Sequence, residues 1–275
     1  MGNTSGRLDP FVEWKDQDLR AKIKELQKKL LPFCQEEPLR IVLCGDTGSG
    51  KSSLANNIIS ALRGQYVQIV NVGSAIDTSV TKKYKEYEIT LKDKSQKKSL
   101  IVLCDTEGVG EINPADQIEA LKRALEGKYA PDQKMNDKEE RSGCRKKRAV
   151  YVIIVCDATL MDQEDSTSCE PTLSDIQLYA NTESIPISIF LTKCDRLDER
   201  VSRDITKLYT SSKIDRAISI ASQIFHDFPK GRIFPIVNYT DQRKAGSAMI
   251  LQTLYALQEI VSDVEAFMSS AGGNS

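Results

Sequence analysis

Histidine is almost missing from this chain: His226 is the only one in 275 residues. A His-rich zinc site, an HExxH metalloprotease and any mechanism built on two imidazoles are thereby excluded, and a Ser or Cys hydrolase would have to recruit His226 alone. Net charge is equally scarce, since 38 Lys+Arg against 39 Asp+Glu leave −1. That argues against a nucleic-acid binder relying on bulk charge. Long apolar runs are absent too: the longest clean one, residues 149–156, falls far short of a membrane span, and the opening MGNTSGRLDP lacks the apolar core of a signal peptide. These absences point to a cytoplasmic protein with no membrane span. None of the 7 cysteines forms a CxxC pair. Cys44, Cys104 and Cys156 each end a β-branched run, where a reduced thiol acts as a small buried hydrophobe.

What is present is an ordinary globular composition, 40% hydrophobic and 28% charged, enough for one large domain. That domain is expected over residues 11–268, with disordered ends at 1–10 and 269–275. Trp14, Leu19, Ile23, Leu26 and Leu30 recur at helical spacing, predicting an amphipathic helix over 16–31 that docks on the rest of the chain or mediates dimerisation. Strands are predicted over 39–44, 66–72, 84–91, 100–104, 150–156, 187–191 and 233–237. Helices fit between and after them, at 51–62, 114–126, 172–180, 205–226 and 248–268. Ile250, Leu254, Leu257, Val261, Val264 and Met268 form the apolar stripe of the last helix. Buried strands alternating with helices mean an α/β fold with a mostly parallel sheet covered on both faces, and such sheets bind ligands at the carboxyl ends of their strands. A polar insert over 127–148, ending RSGCRKKR, reads as a solvated loop or as a surface for a partner or anionic lipid.

Three short motifs carry chemistry. Gly45-Asp46-Thr47-Gly48-Ser49-Gly50-Lys51-Ser52 fits GxxxxGK[ST] directly after a buried strand and at the start of a helix, a pattern chance supplies roughly once in a hundred such chains. Its backbone N–H groups and the helix N-terminus suit a phosphate, extending to Ser53. Lys51 would reach the β- and γ-phosphates, and the Ser52 hydroxyl would ligate Mg²⁺. Asp105-Thr106-Glu107-Gly108 is a DxxG at the end of the next strand. There Asp105 can hold Mg²⁺, usually through water, and Gly108 can offer its N–H to a γ-phosphate. Thr192-Lys193-Cys194-Asp195 follows the strand at 187–191. The Asp195 carboxylate can accept hydrogen bonds from guanine N1–H and the 2-amino group, which adenine cannot provide, while Lys193 lays its stem along the base.

GDTGSGKS, DTEG and TKCD resemble the first, third and fourth motifs of the P-loop GTPases, and the chain as a whole resembles the interferon-induced protein 44 family. That likeness includes Trp14 ahead of a Lys-rich helix, the loop reading GKSS, an I-x-x-L-K-x-x-L-x-G-x-x-x-P-D pattern at 118–132, and Val237-Asn238-Tyr239 before the final helix. The resemblance implies a three-layer α/β/α GTPase-like fold with an antiparallel edge. It also implies GTP/GDP and Mg²⁺ as cofactors and a regulatory switch linked to innate immune or antiviral response. A nucleotide-dependent homodimer or a protein effector would be its partner. By the same resemblance Thr78, with Thr81 as the alternative, supplies the switch hydroxyl for Mg²⁺, and Val237 and Asn238 form the far wall of the base pocket. Small GTPases place a water-positioning Gln directly after DxxG, where this chain has Val109. Slow hydrolysis is therefore expected, with Glu107 and Glu111 as candidate replacements. Two alternatives stand beside the switch: a GTP-binding scaffold with little or no turnover, and a P-loop ATPase in which TKCD is accidental.

Overall fold

Apolar runs without polar alternation are what strands covered on both faces require, and β1 (Leu39–Gly45), β4 (Tyr151–Asp157) and β5 (Ile187–Thr192) are buried along their whole length. The computed structural model describes residues 10–13, 19–30, 38–64, 66–69, 84–93, 96–106, 108, 114–135, 148–161, 171–238 and 247–272. Trp14, Thr78, Thr81, Glu107, Val109, Glu111 and Tyr239, together with residues 1–9, 70–72, 136–147 and 273–275, lie outside them. Among the described residues, β1, β4 and β5 join β2 (Lys85–Asp93), β3 (Gln96–Asp105) and β6 (Ile233–Pro235) in one sheet of order β2-β3-β1-β4-β5-β6. Every pairing is parallel except β2 with β3, so the sheet has the expected antiparallel edge.

Strand alternation assigns the two faces. Val42 and Cys44 point into a core shared with α4 (Pro114–Leu125), α5 (Pro171–Thr182) and α8 (Ser212–Ile224). Ile41 and Leu43 point into the other, built with α2 (Leu19–Leu30), α3 (Lys51–Arg63) and α9 (Ser247–Gly272). Each fully buried Leu or Ile contributes about 1.5–3 kcal/mol, and both layers are dense in them. The predicted stripe of α9 is buried at Ile250, Leu254, Leu257, Val261 and Val264. At the amino ends of the strands, the Tyr151 hydroxyl donates to Asp263 on α9 at 2.9 Å and contacts Ser188 Oγ at 2.6 Å. The N-terminal helix docks on its own domain: Ile23 and Leu26 are buried, and Gln27 Nε2 donates to Leu62 O at 2.9 Å. The short helix α1 (Pro10–Glu13) sets the Phe11 ring edge-on to Tyr209 at 5.9 Å.

Four expectations change. Residues 66–69 form no strand; their backbone is satisfied by polar side chains of α3, with Val67 N donating to Ser60 Oγ and Ile69 N to Asn56 Oδ1, both at 2.9 Å. Side-chain partners replace the ladder that β-branched residues would otherwise need. The helix expected over 205–226 is a 3-10 segment, Ile205–Thr210, followed by α8. Ser211 makes the break, accepting from Ile214 N at 3.3 Å and donating to Asp198 Oδ2 at 2.6 Å. The last helix continues to Gly272, past the start of the expected disordered tail, and Ser269 Oγ donates back to Glu265 O at 2.7 Å.

The polar insert is the fourth. Its first part, 127–135, is anchored in the core while Pro131, Asp132 and Lys134 stay exposed: Tyr129 and Met135 are buried, and the Tyr129 hydroxyl donates to Met135 O at 2.6 Å. The Tyr129 ring stacks on Tyr84 at 5.4 Å, and the Arg123 guanidinium lies over the Tyr129 ring, 4.9 Å from its centroid. Tyr84 is clasped on both backbone sides, donating to Gln133 O and accepting from Asp132 N at 2.8 Å each. Two short helices unmarked by the sequence reading, α6 (Cys194–Leu197) and α7 (Glu199–Arg203), follow β5. Asp198 joins them, taking Arg200 N at 3.0 Å and Arg200 Nη2 at 2.7 Å.

Two outcomes test this packing. Tyr129→Ala lowers stability in thermal or urea unfolding by the ~3–5 kcal/mol of a core aromatic, where a solvated loop position loses under ~0.5. The Arg200 guanidinium holds the Asp198 carboxyl far below the usual range, with the Ser211 bond adding to it against burial. Its stabilisation is therefore complete above the unfolded carboxylate pKa of about 4 and is lost as pH falls toward the lower folded value. Asp198→Asn melts below wild type at neutral pH, and the gap closes as the solution is acidified below about pH 3.

Candidate functional site

The parallel register brings the chemistry to one edge. Gly45 pairs with Val155, Leu43 with Asp105 and Asp157 with Thr192, so the carboxyl ends of β3, β1, β4 and β5 are neighbours. Between β1 and α3 the chain turns through residues 46–50. Gly50 closes the turn at φ 96, ψ 20, in the left-handed region that favours glycine. A Cβ there would meet Asn238 Nδ2 at 2.8 Å, so a side chain is excluded sterically as well.

Lys51 opens α3 and folds back over the turn, its ammonium donating to Gly45 O and Asp46 O at 2.9 Å each. It is buried, and burial lowers its pKa against the raising charge of Asp105. Next on the helix, Ser52 Oγ donates to Asp105 Oδ2 at 3.0 Å. Asp105 is fully buried, and its second oxygen, Oδ1, has no hydrogen-bond partner among the described residues. Burial raises its pKa, while Lys51 and the Ser52 bond oppose the rise. A hydroxyl and a half-satisfied carboxylate side by side are hard oxygen donors of the kind Mg²⁺ takes, a cation that completes its shell with water and phosphate. Among the described residues no group of three or more His, Cys, Asp or Glu could hold a metal, which such a water-rich site does not need.

The DxxG turn touches the same loop. Gly108 lies so close to Thr47 that a Cβ would fall 2.4 Å from Thr47 Oγ1 and 2.6 Å from its N. Thr106 is structural, its hydroxyl donating to Leu43 O at 2.7 Å and pinning β3 to β1. Ser49 and Ser53 are buried beneath the loop, and Gly48 sits on its open side, where a Cβ would meet nothing.

The Thr192 hydroxyl donates to Ser49 O, with Cys156 O at 3.2 Å as second acceptor, and so ties the TKCD turn to the phosphate-loop turn. Lys193 is left-handed, φ 58, ψ 28, and its ammonium pairs with Asp157 Oδ2. Asp195 is half-buried in the first turn of α6. Val237 is clamped through its backbone by one buried side chain, Gln252 of α9, whose Oε1 accepts from Val237 N at 3.1 Å and whose Nε2 donates to Val237 O at 2.8 Å. The Asn238 amide turns onto the loop, donating to Gly50 O at 3.1 Å and accepting from Asn57 Nδ2 at 2.8 Å.

All described members of the three motifs are thus gathered at one edge, while Thr78 and Glu107 fall outside the described residues. Sequence reasoning missed Asp157, Asn57 and Gln252. Asp157 left a signal, since it ends an apolar strand as Asp105 does; Asn57 and Gln252 sit inside helices and left none.

A family model described as 50S ribosome-binding GTPase matches residues 40–193, from the second residue of β1 to the lysine of TKCD. The chain is 26% identical over 239 residues to mouse (Mus musculus) interferon-induced protein 44, covering 83% of this chain and 55% of that protein. Over 72 residues it is 44% identical to human (Homo sapiens) interferon-induced protein 44-like, 26% of this chain and 15% of that one. It therefore spans about half the length, or less, of these relatives. Among solved structures, Toc33 of Arabidopsis thaliana shares the fold: a dimerization-deficient mutant at TM-score 0.52 and 15% identity, and a complex with Mg²⁺ and GMPPNP at 0.51 and 17%, each covering 92% of this chain and 95% of Toc33. With the family model spanning the phosphate loop, the DxxG strand and the TKCD turn, the chain belongs to the 50S ribosome-binding GTPase family of P-loop GTP-binding proteins, in a form similar to interferon-induced protein 44.

Proposed function

We propose that the chain is a Mg²⁺-dependent guanine-nucleotide switch with slow intrinsic hydrolysis. The observation that carries this reading is the Ser52 to Asp105 contact beside a buried carboxylate oxygen that has no partner among the described residues. In it the backbone of residues 45–53 wraps the phosphates, and Lys51, with two of its donors on loop carbonyls, keeps a third for the β- and γ-phosphates. Ser52 and Asp105 would hold Mg²⁺, which when bound neutralises charge on the phosphate oxygens. Gly108 offers its N–H to the γ-phosphate, and its contact with Thr47 makes the DxxG turn responsive to that phosphate's presence. Asp195 reads guanine along the stem of Lys193, with Val237 and Asn238 closing the pocket. Thr78 is the proposed switch hydroxyl and Glu107 the proposed water-positioning group. Val109 cannot orient water, which supports slow turnover. The relatives' names support a place in the interferon response, and the chain works as one GTPase domain in the cytoplasm.

Titration with a fluorescent guanine nucleotide tests the site. Lys51→Ala lowers affinity about 10- to 100-fold, the loss expected for a charge-assisted hydrogen bond, and chelating Mg²⁺ also weakens binding. Asp195→Asn weakens GTP by a similar factor and gains relative affinity for xanthosine triphosphate. Unchanged GTP affinity in Asp195→Asn, or competition by ATP as strong as by GTP, refutes the guanine reading. Single-turnover assays at high protein concentration show slow phosphate release; no release at all leaves a binding scaffold.

A further inference from the structure

Asp157 belongs to none of the three motifs, yet it ends β4 in register with Thr192 of β5. It is buried, and its two oxygens have separate tasks. Oδ1 accepts from Thr159 N at 3.0 Å and Thr159 Oγ1 at 2.7 Å, capping the 3-10 turn Ala158–Leu160. Oδ2 takes the Lys193 ammonium. Lys193 reaches it from a left-handed backbone that a residue with a Cβ adopts at a cost.

A second carboxylate is close by. Burial raises the pKa of the Cys194 thiol against a backbone hydrogen bond at Ile236, and the charges of Asp195 and Asp157 add to the rise, so both carboxylates are felt at the residue next to Lys193. Lys193 is nonetheless committed to Asp157, and Asp195 accepts no hydrogen bond from the described residues. Asp195 stands two residues beyond Lys193 in the chain, and whichever carboxylate the one ammonium pairs with gives up free lone pairs.

We propose that Asp157 is a positioning residue for base selection: by holding the Lys193 ammonium, it keeps Asp195 unneutralised and open to guanine. The inference rests on the guanine-nucleotide reading above. Without the Asp157 charge, the flexible Lys193 stem swings its ammonium to Asp195, whose lone pairs are then spent before the base arrives. Holding the ammonium at Asp157 also lays the four-carbon stem in one place as a flat apolar wall for the purine.

The experiment uses the full chain with Mg²⁺ and a fluorescent GDP analogue, displaced by GDP, by IDP, which lacks the 2-amino group, and by ADP. Asp157→Asn keeps an acceptor for Thr159 but loses the charge; it weakens GDP about tenfold, the size of one charge-assisted hydrogen bond, and narrows the GDP-over-IDP preference. The double variant Asp157→Asn/Lys193→Met restores that preference, because the competing ammonium is gone. Thr159→Val, which loosens the cap alone, lowers the melting temperature and leaves the preference intact. Asp157→Ser retains a capping oxygen too short to hold Lys193 and gives the same readout if the Asn variant does not fold. A wild-type chain that prefers GDP, with an unchanged GDP-over-IDP ratio in folded Asp157→Asn or a ratio not restored in the double variant, overturns this inference alone. A wild-type chain that binds ADP as well as GDP overturns the guanine reading and this inference with it.

Discussion

Opposite charges are buried at the carboxyl edge of the sheet, Lys51 on α3 and Asp105 on β3, and much of the surrounding structure serves to hold them there. Burying an ion costs several kcal/mol unless its charge and its hydrogen bonds are both answered. Lys51 is answered by two loop carbonyls and Asp105 by one serine hydroxyl. Neither answer is complete, since burial still pulls the lysine pKa down and pushes the aspartate pKa up. Polyphosphate beside the ammonium and a divalent cation beside Asp105 Oδ1 would relieve both penalties together, which is the electrostatic basis of the proposed nucleotide site.

The loop that carries Lys51 is gripped from several directions. Thr192 on β5 takes Ser49 O, Asn238 after β6 takes Gly50 O, and Gly108 after β3 packs on Thr47. Behind Asn238 stand Asn57 of α3 and, through Val237, Gln252 of α9. The C-terminal helix is therefore more than a cover for the sheet, since it fixes the backbone of the segment whose Asn238 meets the loop at Gly50. The clasp of Tyr84 by Asp132 and Gln133 does similar work at the start of β2, linking the polar insert to the strand that follows residues 70–83.

The strands at 39–44, 150–156 and 187–191 could be read in the sequence because a strand covered on both faces has to be a short, unbroken apolar run, and the three motifs because glycine spacing and strand ends are local. The failures share the opposite property. Residues 66–69 are β-branched in part, but Ser60 and Asn56 supply their hydrogen bonds from another element. The insert looked solvated by composition, yet Tyr129 finds Tyr84 across a gap in sequence that no pattern encodes. The pairing of Lys193 with Asp157 was hidden for the same reason, because a lysine's partner is chosen in space.

By itself, the sequence determined the α/β class, the order of the strands along the chain, and the chemical inventory of the site: a glycine-bounded turn, two lysines, serine and aspartate oxygens, and almost no imidazole. Those are properties of periodicity and residue type. Tertiary structure decided the strand order in space, the packing of the insert, and above all which charges meet. Ser52 reaches Asp105 and Lys193 reaches Asp157 because parallel pairing aligns the ends of four strands, and electrostatic partners depend on ångström distances that separation along the chain does not specify.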